Sequence, residues 1–125
     1  MSTAHPASHA HLVVGRVGER AAEIAYVRRG YRVLGRNWRC GLGELDLVFA
    51  RGDLVVFCEV KTRRGRRYGE PWQAVDARKQ VKLRHLAQAF LIARALRPSS
   101  TRFDVASVLV AADGEATVRV FEDAF

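Results

Sequence analysis

Gly43-Glu44-Leu45-Asp46-Leu47-Val48-Phe49-Ala50-Arg51-Gly52-Asp53-Leu54-Val55-Val56-Phe57-Cys58-Glu59-Val60-Lys61 is the stretch that decides how this chain is read. Two apolar runs rich in β-branched residues flank Arg51-Gly52-Asp53, the pattern of a β-hairpin. Side chains alternate faces along a strand. Leu45, Leu47 and Phe49 are therefore expected on one face, with Glu44, Asp46 and Val48 on the other. Glu59 and Lys61 share a face of the second strand. Charges set into apolar strands are costly unless they are paired or hold an ion. That cost makes Glu44, Asp46, Glu59 and Lys61 the first candidates for a site.

Upstream of the hairpin, Tyr31–Arg39 reads as a strand with an irregularity at Gly35. Before it, Gly15–Arg29 reads as a helix. Ala21, Ile24, Ala25 and Arg28 follow helical spacing, and Gly30 is placed to end it. Glu19 and Glu23 lie four apart on this helix, as ordinary surface charges do. Residues 1–14 are expected to be a disordered tail, in which His5, His9 and His11 are solvated.

Downstream, Thr62–Pro71 carries Arg63, Arg64, Arg66 and Arg67 with two glycines and reads as a basic loop at the rim of the face that Lys61 occupies. Val75–Leu96 is a long helix, with Leu83, Leu86, Ala87 and Phe90 as its apolar stripe and Asp76 near its start. Arg102–Val110 and Ala116–Phe121 are two further strands joined through Asp113-Gly114, a strong hairpin turn. The predicted order is helix, three strands, helix, two strands, in one domain over residues 15–125.

The chain has 125 residues, 21 Lys plus Arg against 13 Asp plus Glu, and a formal charge of +8. All of the basic residues but Lys61, Lys79 and Lys82 are arginine. That balance favours a polyanionic partner, nucleic acid first. No apolar run reaches the length of about 20 residues that a membrane helix needs, and the start lacks a signal-peptide pattern. A cytoplasmic protein is expected. Cys40 and Cys58 are too few for a zinc motif or a disulfide scaffold, and Cys58 reads as a small core residue.

In a short antiparallel hairpin, Asp46 and Glu59 fall opposite or diagonal to one another. Two carboxylates suit Mg²⁺, which keeps much of its water. Lys61 beside them would hold or polarise a water, and the arginine loop would supply phosphate contacts. Asp, a gap and Glu-x-Lys also occurs in unrelated chains as a structural ion pair. On the residues alone, a metal-dependent nuclease and a basic nucleic-acid-binding domain both stand.

Gly18-Glu19, Gly43-Glu44-Leu45-Asp46-Leu47, Glu59-Val60-Lys61-Thr62-Arg63, Val75 with Lys79, Arg102-Phe103-Asp104-Val105 and the closing Asp123-Ala124-Phe125 together resemble the YraN family of small bacterial proteins. The resemblance runs from about Gly15 to Phe125. That family looks like a branch of the restriction-endonuclease-like PD-(D/E)xK superfamily and is similar to Holliday-junction resolvases. The resemblance implies an α/β three-layer fold with a mixed central sheet of about five strands flanked by helices.

It implies roles as well. Asp46 and Glu59 match the two acids that hold Mg²⁺ or Mn²⁺, Lys61 the motif lysine, Glu44 an additional catalytic acid, and Glu19 a first-helix glutamate that approaches the metal site as a third metal residue. Gln80 stands where some superfamily members carry a helix glutamine. Leu45 replaces the proline that usually precedes the first acid. Arg63, Arg64, Arg66, Arg67, Lys79 and Lys82 would contact nucleic acid. The implied function is a Mg²⁺-dependent endonuclease acting on DNA, with branched or damaged DNA as candidate forms. A homodimer is expected by analogy with resolvases. The alternatives are a non-catalytic nucleic-acid-binding protein of the same fold and a scaffold whose acidic-lysine cluster is structural.

Overall fold

The computed structural model describes residues 6–65 and 75–125. Its elements are α1 (Pro6–Arg28), β1 (Arg32–Cys40), β2 (Gly43–Arg51), β3 (Leu54–Arg64), α2 (Ala77–Ala93), β4 (Ser100–Val110) and β5 (Ala116–Phe121). The order is the one read from the sequence. The five strands form one sheet in the order β1-β2-β3-β4-β5. Neighbours are antiparallel except β3 and β4, which run parallel over Leu54–Arg64 and Ser100–Val110. A parallel pair needs a long crossover, and the segment containing α2 supplies it.

The helices cover opposite faces, so the sheet is buried on both sides and its central strands read as near-continuous apolar runs. Ala22 and Tyr26 of α1 pack with Tyr31, Leu47, Phe49, Val56, Cys58, Ala106 and Val108. Tyr26 stacks on Phe49 with ring centroids 4.1 Å apart. Its hydroxyl donates to Asp104 Oδ2 at 2.6 Å. Asp104 is fully buried and also receives Arg102 Nε at 2.8 Å and the Asp123 N–H at 3.0 Å. A buried carboxylate is tolerable when it is paired and hydrogen-bonded in this way. On the other face, Leu83, Leu86, Ala87 and Phe90 of α2 meet Leu45, Val48, Val55, Phe57, Phe103 and Val105. This is the expected stripe, and Asp76 caps its helix by accepting the Lys79 N–H at 2.9 Å. Cys58 lies in the α1-side core as expected, and Cys40 packs against the α2-side core.

Three features differ from the sequence reading. Residues 6–14, expected in the tail, are the first turns of α1, while residues 1–5 lie outside the described residues. Pro6 suits a first helical position, where its missing N–H is no loss. Val14, Val17 and Ala21 extend the face of α1 that packs on the sheet. Secondly, β3 continues through Thr62 to Arg64, held by its parallel ladder to Val110, so the basic loop starts later than expected. Arg66 and Arg67 lie outside the described residues.

Thirdly, strict alternation fails in β2. Leu45 joins Val48 in the α2-side core, whereas Leu47 and Phe49 face α1. The cause is a paired irregularity. Arg36 pairs with Leu47 and Trp38 with Leu45, but Asn37 and Asp46 between them drop out of the ladder. Asn37 has φ 48°, a left-handed conformation that Asn tolerates better than most residues. β1 changes face at the same point, with Arg36 reaching Glu23 of α1 and Trp38 packing on Phe90 of α2. The expected irregularity at Gly35 is present as a register shift between Val33 and Gly35.

Candidate active site

Asp46 stands where the sheet forks. The β2–β3 ladder ends at Leu47–Cys58, while β3 continues with β4 as far as Arg64. Asp46 Oδ2 then accepts the Val60 N–H at 2.8 Å, so a side chain replaces the next ladder bond. The irregularity at Asp46 thus turns a strand residue into one that spans the fork. Glu59, next to this contact, is buried with 7 % exposure.

The two acids act directly on one another. The Asp46 carboxyl is pushed up to about 8, first by burial and then by the hydrogen bond and negative charge of Glu59, with a smaller push from Glu19. Burial acts in the same direction on Glu59. There the hydrogen bond from Asp46, the Lys79 ammonium and the charge of Lys61 outweigh it and hold the group below its usual range. These directions favour the proton on Asp46 and the negative charge on Glu59. Two like charges this close ionise in turn, the behaviour of a carboxyl dyad.

Lys79, on the first turn of α2, places Nζ 2.5 Å from Glu59 Oε2. Asp46, Glu59, Glu44, Asp76, Arg78, Lys79 and Lys82 share the wall of one open cavity of about 470 Å³ between β2, β3 and α2. Lys82 also packs on Gly43. A Cβ there would lie 2.8 Å from Lys82 Cε, and the backbone φ of +142° is strained for any residue but glycine. Glu44 is ion-paired with Arg39.

Glu19 approaches from α1. Burial raises its carboxyl, the charges of Glu44 and Glu59 add to this, and a hydrogen bond with the Asn37 side chain opposes it. Glu23, by contrast, pairs with the exposed Arg36 at 2.7 Å and belongs to the surface. The turn of α1 bearing Glu19 sits close on β3: a Cβ on Gly18 would meet Thr62 Oγ1 at 1.8 Å.

The fold thus gathers Asp46, Glu59 and Lys79, with Lys61 close enough to stabilise the Glu59 charge and Glu19 close enough to oppose it. Arg63 and Arg64 are exposed near the end of β3. Gln80 turns back to donate to the Val75 carbonyl at 3.3 Å. Asp46 and Glu59 are a hard oxygen donor pair suited to a divalent cation. Among the described residues, no group of three or more His, Cys, Asp or Glu is drawn together closely enough to cage an ion. Sequence reasoning did not single out Asn37. Its signal was an Asn inside a strand, between Arg36 and Trp38, a residue type that favours left-handed backbone.

The comparisons agree with one another. Residues 18–108 match the model of Uncharacterised protein family UPF0102. The UPF0102 protein of Moorella thermoacetica is 46% identical over 112 residues, covering 89% of this chain and 93% of that protein. UPF0102 protein STH1475 of Symbiobacterium thermophilum is likewise 46% identical, over 90% of this chain and 95% of the relative. UPF0102 protein FRAAL5785 of Frankia alni reaches 48% over 86% and 88%. No helix among the described residues is long and apolar enough to cross a membrane. A family match spanning most of the chain and the expected α-β-β-β-α-β-β order lead to one conclusion: the chain belongs to the UPF0102, or YraN, family.

Proposed function

We propose that the chain is a metal-dependent endonuclease that hydrolyses phosphodiester bonds in DNA, acting in the cytoplasm. The observation that carries this reading is the pairing of half-buried Asp46 with buried Glu59 in a cavity whose wall also carries Arg78, Lys79 and Lys82. A site that must hold one buried carboxylate against a cation fits a divalent ion: Glu59 Oε2 is buried and makes only a charge contact, with no aligned hydrogen bond. Asp46 and Glu59 would hold Mg²⁺ or Mn²⁺, with Glu19 and Glu44 adding negative potential. When bound, the ion supplies Lewis acidity and makes a water a better nucleophile near neutral pH. Lys61 orients or polarises that water. Lys82 and the arginines at 63, 64, 66 and 67 hold the flanking phosphates, contacts that position without reading sequence.

The test is a cleavage panel of linear, single-stranded, flapped and four-way-junction DNA with Mg²⁺ or Mn²⁺. Wild type should give products that Asp46→Asn and Lys61→Ala lose while DNA binding persists. Equal products from wild type and Asp46→Asn would overturn the reading. Light scattering checks the dimer expected by analogy with resolvases. The alternative, a non-catalytic nucleic-acid-binding protein of the same fold, draws on the Lys79–Glu59 ion pair, which neutralises Glu59 without a metal. It predicts salt-dependent binding and no cleavage with any metal.

A further inference from the structure

Lys79 is nominated by sequence as a phosphate contact, yet its ammonium lies against Glu59 Oε2 at 2.5 Å. That oxygen is buried and has no hydrogen-bonding partner to replace the lysine. A carboxylate so far out of water must keep a cation beside it. The two partners differ in freedom. Glu59 is 7 % exposed and fixed within β3, whereas the Lys79 side chain is 40 % exposed at the cavity mouth. The Lys79 backbone is itself pinned, since its N–H bonds Asp76 Oδ1 at 2.9 Å. Only the side chain of Lys79 is therefore free to leave. The same wall carries Arg78 and Lys82, so a departing ammonium joins a basic rim.

We propose that Lys79 is a tethered cation that occupies the Glu59 carboxylate at rest and exchanges with the divalent ion, its freed ammonium then turning to the DNA phosphate. Two cations crowded on one buried oxygen repel each other strongly at contact distance, so Lys79 and the metal compete. The exchange keeps Glu59 neutralised in both states. This inference rests on the nuclease reading for the identity of the incoming ion. It makes Lys79 a positioning residue whose loss helps metal binding rather than hinders it.

The test is calorimetric titration of Mn²⁺ into the full chain as wild type, Lys79→Met and Lys82→Met. Lys79→Met should bind Mn²⁺ at least about fivefold more tightly than wild type, the lower end of coupling between linked sites. Lys82→Met removes one positive charge from the same cavity but no ion pair to Glu59, and should gain much less. Unchanged or weaker Mn²⁺ binding by Lys79→Met, or an equal gain in Lys82→Met, overturns the exchange. If Lys79→Met does not fold, Lys79→Gln, which keeps a donor without the charge, carries the same expectation. Tighter Mn²⁺ binding by Lys79→Met with no DNA cleavage by wild type upholds the exchange and overturns the nuclease. Cleavage by wild type with no gain in Lys79→Met does the reverse. No Mn²⁺ binding by any of the three overturns both.

Discussion

Replacing Asp46 with Asn should make the protein more stable in alkali while leaving it unchanged in weak acid. At pH 5 the Asp46 carboxyl is protonated, because burial and Glu59 push it up to about 8 from 3.8. An Asn there keeps the shape, accepts the Val60 N–H through its carbonyl and donates to Glu59 through its amide. In the unfolded chain Asp46 ionises near its ordinary value, so between about pH 4 and pH 8 the folded state binds the extra proton. Stability contributed by that proton is full below the unfolded value and is lost as pH rises through the folded one. The separation of about four units, at about 1.4 kcal/mol each, sets a ceiling of about 6 kcal/mol. Glu59 is held low and releases its proton earlier, which offsets part of the slope at acid pH. A realised loss of about 2 kcal/mol corresponds to roughly 8 °C for a domain of this size. Thermal unfolding followed by circular dichroism from pH 4.5 to 8.5, in chelator, measures it. Wild type should fall with pH while Asp46→Asn stays flat, the gap widening from about pH 4 and levelling off above about pH 8. Mg²⁺ at pH 8.5 should restore wild type and leave the variant unmoved. Parallel pH profiles for the two proteins would refute the raised Asp46 carboxyl.

Other substitutions test the frame that holds the site. Gly18→Ala pushes a Cβ into Thr62 and should cost about 1–3 kcal/mol in denaturant unfolding, with Thr62→Gly recovering part of it; a neutral Gly18→Ala would mean that α1 is not seated on β3 as described. Asp104→Ala strips the buried acceptor from Arg102, Tyr26 and the Asp123 N–H, and should cost about 3–5 kcal/mol by the shift in urea midpoint; a loss below about 1 kcal/mol would show the network to be dispensable. Arg36→Ala breaks an exposed pair with Glu23 and should change stability by less than about 1 kcal/mol, with any larger melting shift contradicting a surface role.

The order of elements was legible because each carries a local signal: two turn glycines, an irregularity at Gly35 and a helical stripe ending at Phe90. The dyad was legible from strand proximity, since Asp46 and Glu59 flank the point where two paired strands diverge. The face of Leu45 was not. Alternation assumes an uninterrupted strand, and the left-handed Asn37 opposite Asp46 breaks both strands at once. Lys79 was legible as a cation but not as a partner of Glu59, because that contact depends on how α2 sits on the sheet. The early start of α1 escaped because Ser, His and Pro look polar and irregular until Val14 and Val17 have a sheet to pack against.

The fork at Asp46 has another consequence. Among the described residues, no strand pairs with β3 beyond Cys58 on its β2 side, so among them that margin is an unpaired sheet edge. Such an edge can recruit a strand from another molecule and begin aggregation. Here it is studded with Lys61, Arg63 and Arg64, and the one N–H that Asp46 takes is withdrawn from any template. Like charges on approaching edges repel, which is how natural sheets guard against such pairing. The basic residues at this margin therefore double as gatekeepers of solubility. Neutralising them carries a colloidal penalty as well as any effect on a polyanionic ligand.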